Sequence, residues 1–377
     1  MKHTGTPTRL QSLDALRGFD MCWIISGEFI VHAWAKADDN PVIGWMSSQL
    51  HHSDWNGFTF YDMIFPLFIF IAGVSMPYSF AQQLAKAGGD RGVAKKNIYR
   101  ALLKRTLILI LLGMVVNGLL QWKGYEYTRF ASVLGRIALS CFFAACIFLN
   151  YHLRGQVIWC LALLMGYWAA MLLIPVPGFG AGVLTPEGNL AAWVDRMWLP
   201  GKLHRKVYDP EGLLSTIPAI ASALLGIFTG QFLRWQSMQW TPRRKAGALI
   251  VAGVALLLLG KWWDIVFPIN KIIWTSSFVL YAGGWSLLLL ALFYGLIDVA
   301  GFKKWSLPFT WIGLNSILIY MAVHGIINFE STAQFLFGGW IKQAPEAWQP
   351  VWLWTGVALI QLALLYFLYR KKWFLKV

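Results

Sequence analysis

Apolar runs long enough to cross a bilayer, about 20 residues for a ~30 Å hydrocarbon layer, recur along nearly the whole chain. Backbone polar groups in lipid must be satisfied within the spanning element, so such runs are restricted to helices unless they close into a barrel. The sequence predicts an all-α polytopic transmembrane helical bundle of about ten spans, with room for an eleventh, forming one domain over 1–377. Spans are expected near 14–35, 59–83, 102–121, 130–149, 156–175, 213–234, 246–267, 273–298, 308–328 and 351–370. Composition agrees, since only 13% of residues are charged against roughly 25% in soluble domains.

The polar start, with Lys2, Arg9, Asp14 and Arg17, runs into a full-length span without a small-residue cleavage site. The first span is therefore expected to stay in the mature protein. Cys22, Cys141, Cys146 and Cys160 fall inside apolar runs with no metal-ligand spacing, which makes them packing residues; no metal is expected.

A net charge of +15 invites a nucleic-acid reading, but its distribution argues otherwise. Clusters at Lys86, Arg91, Lys95, Lys96, Arg100, Lys104 and Arg105, at Arg234, Arg243, Arg244 and Lys245, at Lys303 and Lys304, and at Arg370, Lys371, Lys372 and Lys376 alternate with cation-poorer loops. This is the positive-inside bias, which places both termini in the cytoplasm. Membrane lipid is the expected partner of these cations and nucleic acid is not; some are placed to hold a polyanionic cytosolic ligand.

Two outer segments exceed simple turns, 36–58 and 176–212. The first carries His51, His52, Asp54, Trp55 and Asn56; the second ends in Tyr208-Asp209-Pro210-Glu211-Gly212, where proline after aspartate predicts a helix start. No internal repeat is visible. Gly226 and Gly230 form a GxxxG pair expected to bring two helices close.

Ionisable groups within spans are costly and mark working surfaces. Span one carries Asp14, Arg17, Asp20 and Glu28; Asp62 opens span two; Asn117, Arg136, Asn315 and His324 lie deeper along the chain. Asp14 and Arg17, three apart, are expected to pair at the cytoplasmic entrance. Asp62 follows His52 by ten residues and precedes Phe65-Pro66, where a kink or opening is expected. A carboxylate there would orient an imidazole as general-base chemistry requires.

These residues carry a resemblance. Arg9-Leu10-Gln11-Ser12-Leu13-Asp14-Ala15-Leu16-Arg17-Gly18 is similar to the opening R-L-x-S-x-D-x-x-R-G of the heparan-α-glucosaminide N-acetyltransferase family. His52-Ser53-Asp54-Trp55-Asn56-Gly57, then Asp62 and Phe65-Pro66-Leu67-Phe68-Ile69-Phe70, resemble its H-x-x-W-N-G and D-x-x-F-P-x-F-x-F. Arg129 to Arg136, Tyr208 to Gly212, Pro268-Ile269-Asn270-Lys271 and Leu314-Asn315-Ser316-Ile317-Leu318 also look like family segments.

The resemblance implies a transmembrane acetyltransferase. Acetyl would pass from cytosolic acetyl-CoA to the amino group of a terminal glucosamine, or a related amino sugar, beyond the membrane. It puts His52 at the catalytic histidine, with His51 second because it is one residue off the motif. Asp62 or Glu28 would orient the imidazole or the acceptor, and Asn56, Arg136 or Asn315 would meet the developing oxyanion. Asp14, Arg17, Trp55, His324, Asp209 and Glu211 complete the expected binding residues. Relatives suggest a homodimer.

Departures are visible. Glu28 stands where the lysosomal relative has a functional asparagine, and Gly135 replaces a glutamine before Arg136. So few residues precede the first motif that a lumenal amino-terminal domain is not expected, and the lack of an N-x-Ser/Thr sequon suits a bacterial inner membrane. Two other readings use the same residues: a transporter of a small solute and an O-acyltransferase of envelope polysaccharide.

Overall fold

The computed structural model describes residues 10–375, so Lys2, Arg9 and Lys376 lie outside the described residues. Within them the chain is helical, with three isolated bridges and no strand. The helices are α1 (Gln11–Cys22), α2 (Glu28–Ala37), α3 (Pro41–Gln49), α4 (Phe60–Lys86) and α5 (Arg91–Val116). There follow α6 (Val133–Asn150), α7 (Leu153–Leu173), α8 (Leu190–Trp198), α9 (Thr216–Arg234) and α10 (Pro242–Asp264). The last five are α11 (Ser276–Phe293), α12 (Leu307–Leu314), α13 (Ser316–Met321), α14 (Phe329–Ile341) and α15 (Gln349–Arg370).

Among the described residues seven helices are long and apolar enough to cross a membrane; an eighth is the pair Lys304–Leu314 and Ser316–Ile326, bent by 64°. Two further long rods carry more charge. One is α1 joined to α2 through a π-helical turn, Trp23–Gly27, and the other is α5, basic in its first half.

Glycines decide how the central rods cross. A Cβ at Gly18 would lie 1.7 Å from the Phe309 carbonyl oxygen and one at Gly313 would lie 1.9 Å from that of Asp14, so α1 and α12 touch backbone to backbone. The same holds for α4 and α9, where a Cβ at Gly226 would sit 2.1 Å from the Phe70 carbonyl oxygen and one at Gly230 2.3 Å from that of Val74. The GxxxG pair is thus a contact within the chain, as small residues permit. Asp298 fixes the start of α1, accepting from the amides of Gln11 and Ser12 at 3.3 and 3.2 Å.

Several local expectations need correction. α4 runs unbroken through Pro66 and Pro77, because a long, well-packed helix tolerates the two lost backbone bonds. Pro210 does not start a helix; Asp209 accepts from the Glu211 amide as a cap would, at 2.9 Å, but the turn is not continued and α9 begins at Thr216. Segments 36–58 and 176–212 are not plain loops, for they contain α3 and α8. The four cysteines are all free.

Candidate active site

The turn before α4 builds the site. Thr59 caps the helix in a capping box with Asp62, and Asp62 Oδ2 accepts from the amides of Ser53 and Thr59 at 3.2 and 3.1 Å and from the Ser53 hydroxyl at 2.9 Å. These donors leave Oδ1 for His52, whose Nδ1 donates to it at 2.9 Å, because a carboxylate can only accept. The Nδ1–H tautomer is thereby set and Nε2 keeps its lone pair. His51 turns away, stacking on His32 at 4.2 Å.

Trp55 and Asn56 hold this loop down. The Trp55 indole donates to the Leu184 carbonyl at 2.8 Å and packs edge-on to Tyr208. Asn56 Oδ1 accepts from Asn270 Nδ2 at 3.2 Å, and the Gly57 amide donates to the Ile269 carbonyl at 2.8 Å. The histidine loop is thus stapled to the α10–α11 connection. That connection delivers Lys271, whose Nζ lies 3.0 and 3.1 Å from the two ring nitrogens of His52 and 3.7 Å from Asp62 Oδ1. Burial pulls the Lys271 amine below its ordinary range, with the Asp62 carboxylate opposing the shift.

His52 and Lys271 open into a cavity of about 870 Å³. From Tyr61 the lining continues down one face of α4 through Phe65, Phe68, Ala72, Ser75 and Ser79 to Gln82, a spacing of three and four that marks a single helical stripe. At 1.5 Å per residue the stripe rises roughly 30 Å, comparable with a bilayer core. Asp14, Arg17, Met21 and Ile24 form a matching stripe on the first rod. The far end holds Arg105, and Arg17, which pairs with Asp14 at 3.8 Å and reaches the Ser75 hydroxyl at 3.5 Å.

Glu28 does not line the cavity. The π-turn takes it out of the stripe of Asp14, Arg17, Met21 and Ile24, and its carboxylate is hydrogen-bonded by Tyr61 instead. The Tyr61 ring lies 4.8 Å from His52, so Glu28 reaches the imidazole through one intermediary.

A second chamber of about 370 Å³ shares Val133, Leu134, Tyr320 and His324 with the first and adds Asn117, Arg129 and His204. The His324 ring lies tilted against Tyr320, with centroids 4.2 Å apart. Arg129 binds Asp209 through Nε and Nη2, at 2.8 and 2.5 Å, and also Glu211, which lines the main cavity. Burial pushes against the Asp209 charge, but the bidentate arginine and two amides prevail and hold its carboxyl below the usual range.

Arg136 and Asn315 stand outside the cavity wall. Arg136 is buried, bonding the Gly212 carbonyl and the Ser215 hydroxyl beneath the Trp274 ring. Asn315, at the α12–α13 bend, clasps the chain end through the Trp373 carbonyl and the Leu375 amide, at 3.0 and 3.1 Å.

Residues 9–262 match the family profile described as heparan-alpha-glucosaminide N-acetyltransferase, catalytic. The chain belongs to this family. Similar relatives are the human and mouse proteins named heparan-alpha-glucosaminide N-acetyltransferase, 27% and 29% identical over 98% of this chain. The chain spans about 60% of the length of either relative. The family match contains His52, Asp62, Arg129 and Glu211, whereas Lys271, Tyr320 and His324 follow its end.

Sequence reasoning missed Tyr61, Arg129 and Lys271 as site residues. The signal for Lys271 was a cation on a connection that the positive-inside bias expects to be poor in cations. Arg129 had two candidate partners in the sequence, Asp209 and Glu211, but nothing local linked them.

Proposed function

We propose that this family member is a transmembrane acetyltransferase carrying acetyl from cytosolic acetyl-CoA to the amino group of a glucosamine-type acceptor on the opposite side. The ten rods cross the bilayer with both termini cytoplasmic, and a bacterial inner membrane suits the charge bias. One observation carries the reading: a single cavity follows α4 for about a membrane thickness, with the His52–Asp62 pair at one end and Arg17 and Arg105 at the other. Acidic nucleotide groups belong at the arginines and the thioester belongs at the imidazole.

The chemistry follows from the fixed tautomer. Asp62 holds Nδ1–H, so Nε2 accepts one proton from the neutral acceptor amine as it attacks. The amine lone pair forms the C–N bond to the thioester carbonyl carbon, the carbonyl pair moves to oxygen, and collapse expels the CoA thiolate, which takes the proton back from His52. Asp62 stabilises the transient imidazolium. The acceptor enters by the side chamber, where the Tyr320–His324 pair offers a face to a sugar ring and Asn117 and His204 offer polar contacts.

The test is transfer in sealed proteoliposomes, with labelled acetyl-CoA on one side and acceptors on the other. Labelled N-acetylglucosamine is expected from glucosamine and none from glucose. His52→Ala, checked for folding by its thermal transition, should lower kcat by about 10²–10⁴. A wild-type protein that makes no such product, or a folded His52→Ala variant with full transfer, overturns the assignment.

A further inference from the structure

We infer that Lys271 is the electrophilic catalyst of the transfer: its ammonium rests on the base and moves to the thioester oxygen when the acceptor amine displaces it. The inference rests on the acetyl-transfer reading and adds the group that reading lacks, a donor for the oxyanion.

The geometry supplies the argument. With Nδ1–H committed to Asp62, the Lys271 ammonium lies 3.0 and 3.1 Å from Nδ1 and Nε2, which places it over the imidazole and beside the free Nε2. In this resting arrangement Lys271 crowds the approach to the lone pair that must receive the substrate proton. An arriving amine therefore evicts it, and the cavity wall, which both residues line, keeps it beside the reacting carbonyl. Its loop is firm: the Ile269 amide donates to Asp264 at 2.6 Å, Asn270 Oδ1 accepts from the Ile273 amide at 3.0 Å, and Thr275 accepts from the Asn270 amide at 3.0 Å. Only the lysine side chain has to move.

Charge balance favours the exchange. At rest one ammonium and one carboxylate flank a neutral imidazole. When the amine attacks, the C–N bond forms, the carbonyl electrons reach oxygen and His52 gains a proton. Two opposite pairs then exist, imidazolium with Asp62 and oxyanion with Lys271. Both separate again when the C–S bond breaks and the proton leaves with the thiolate. Arg136 and Asn315 do not line this cavity, whereas Lys271 does. A preorganised donor at a developing oxyanion is worth about 10²–10³ in kcat.

The charged and titratable groups around His52 and Lys271 are Asp62, Glu28, Tyr61, Glu211 and Arg136.

The test compares wild type, Lys271→Met and Lys271→Arg in the transfer assay, with thermal transitions to confirm folding. Expected are a kcat fall of about 10²–10³ in the methionine variant, a KM for acetyl-CoA within a few-fold, and partial recovery with arginine. Unchanged kcat in a folded Lys271→Met protein overturns the inference. So does an arginine variant as inactive as the methionine one, which would mark Lys271 as a proton acceptor. Loss of transfer in His52→Ala with full activity in Lys271→Met would sink this inference alone, whereas absence of wild-type transfer would sink the reading beneath it.

Discussion

His52 and Asp62 share a hydrogen bond across very different surroundings: the histidine side chain is 52% exposed and the aspartate side chain 1%. The buried partner sets the tautomer and the exposed one meets substrate. Asp62→Asn keeps the size but not the charge, and its amide NH₂ faces donors from Ser53 and Thr59. Transfer is expected to fall by about 10²–10⁴ in kcat, with KM for acetyl-CoA little changed, in steady-state assays on detergent-purified protein.

Ala72 lies midway along the α4 stripe. Ala72→Trp fills open space instead of overpacking a core, so it should leave the thermal transition within a few degrees while blocking passage. Abolished transfer, together with retained binding of a nucleotide-only fragment such as adenosine 3′,5′-bisphosphate, is the expected pair of results. Normal transfer would show that the donor travels by another route.

Arg105→Ala tests the opposite mouth. Loss of one phosphate-binding cation should raise KM for acetyl-CoA about tenfold with kcat preserved, and the effect should shrink as salt rises. A change in kcat alone would place Arg105 outside the donor site.

Asp195 on α8 supplies a pH test of stability. Burial pushes its carboxyl up to about 7 from an ordinary 3.8, against the Leu213 amide and the Arg136 charge. A folded-state value above the unfolded one favours the fold while the group is protonated. That contribution is complete below 3.8 and is lost as pH rises through about 7. Asp195→Asn should therefore flatten the decline in melting temperature across this window. Asp209 has the opposite sign, stabilising above 3.8 and losing its contribution as pH falls through its lower folded value, so the two effects occupy separate ranges.

Gly226→Ala places a methyl group 2.1 Å from the Phe70 carbonyl oxygen. Backbone cannot yield cheaply there, and a loss of about 1–3 kcal/mol is expected, read as a lowered midpoint in thermal unfolding. An unchanged midpoint would mean that α4 and α9 can slide apart freely.

Much of this was legible in the sequence because the bilayer simplifies the problem: long apolar runs became the rods, and Gly226 and Gly230 became a crossing. His52 with Asp62 was readable because ten residues separate them and the motifs point the same way. Lys271 was not, since it arrives from 219 positions away and contact across that distance leaves no periodic trace. The bend at Asn315 follows from its clasp on the Leu375 amide and the Trp373 carbonyl, a tertiary cause. Pro66 and Pro210 misled in opposite ways: one sits in a helix that neighbours hold together, and the other follows an aspartate whose bond to the Glu211 amide closes a turn that no helix continues.

Tyr61 and Gln82 belong to one uninterrupted rod, so the separation between anchorage and chemistry is set by the helix repeat and not by loops. Donor selection then becomes a matter of reach. A thioester on a shorter leash halts below the imidazole, and one on a longer leash overshoots it, whatever the fit of the acyl group itself.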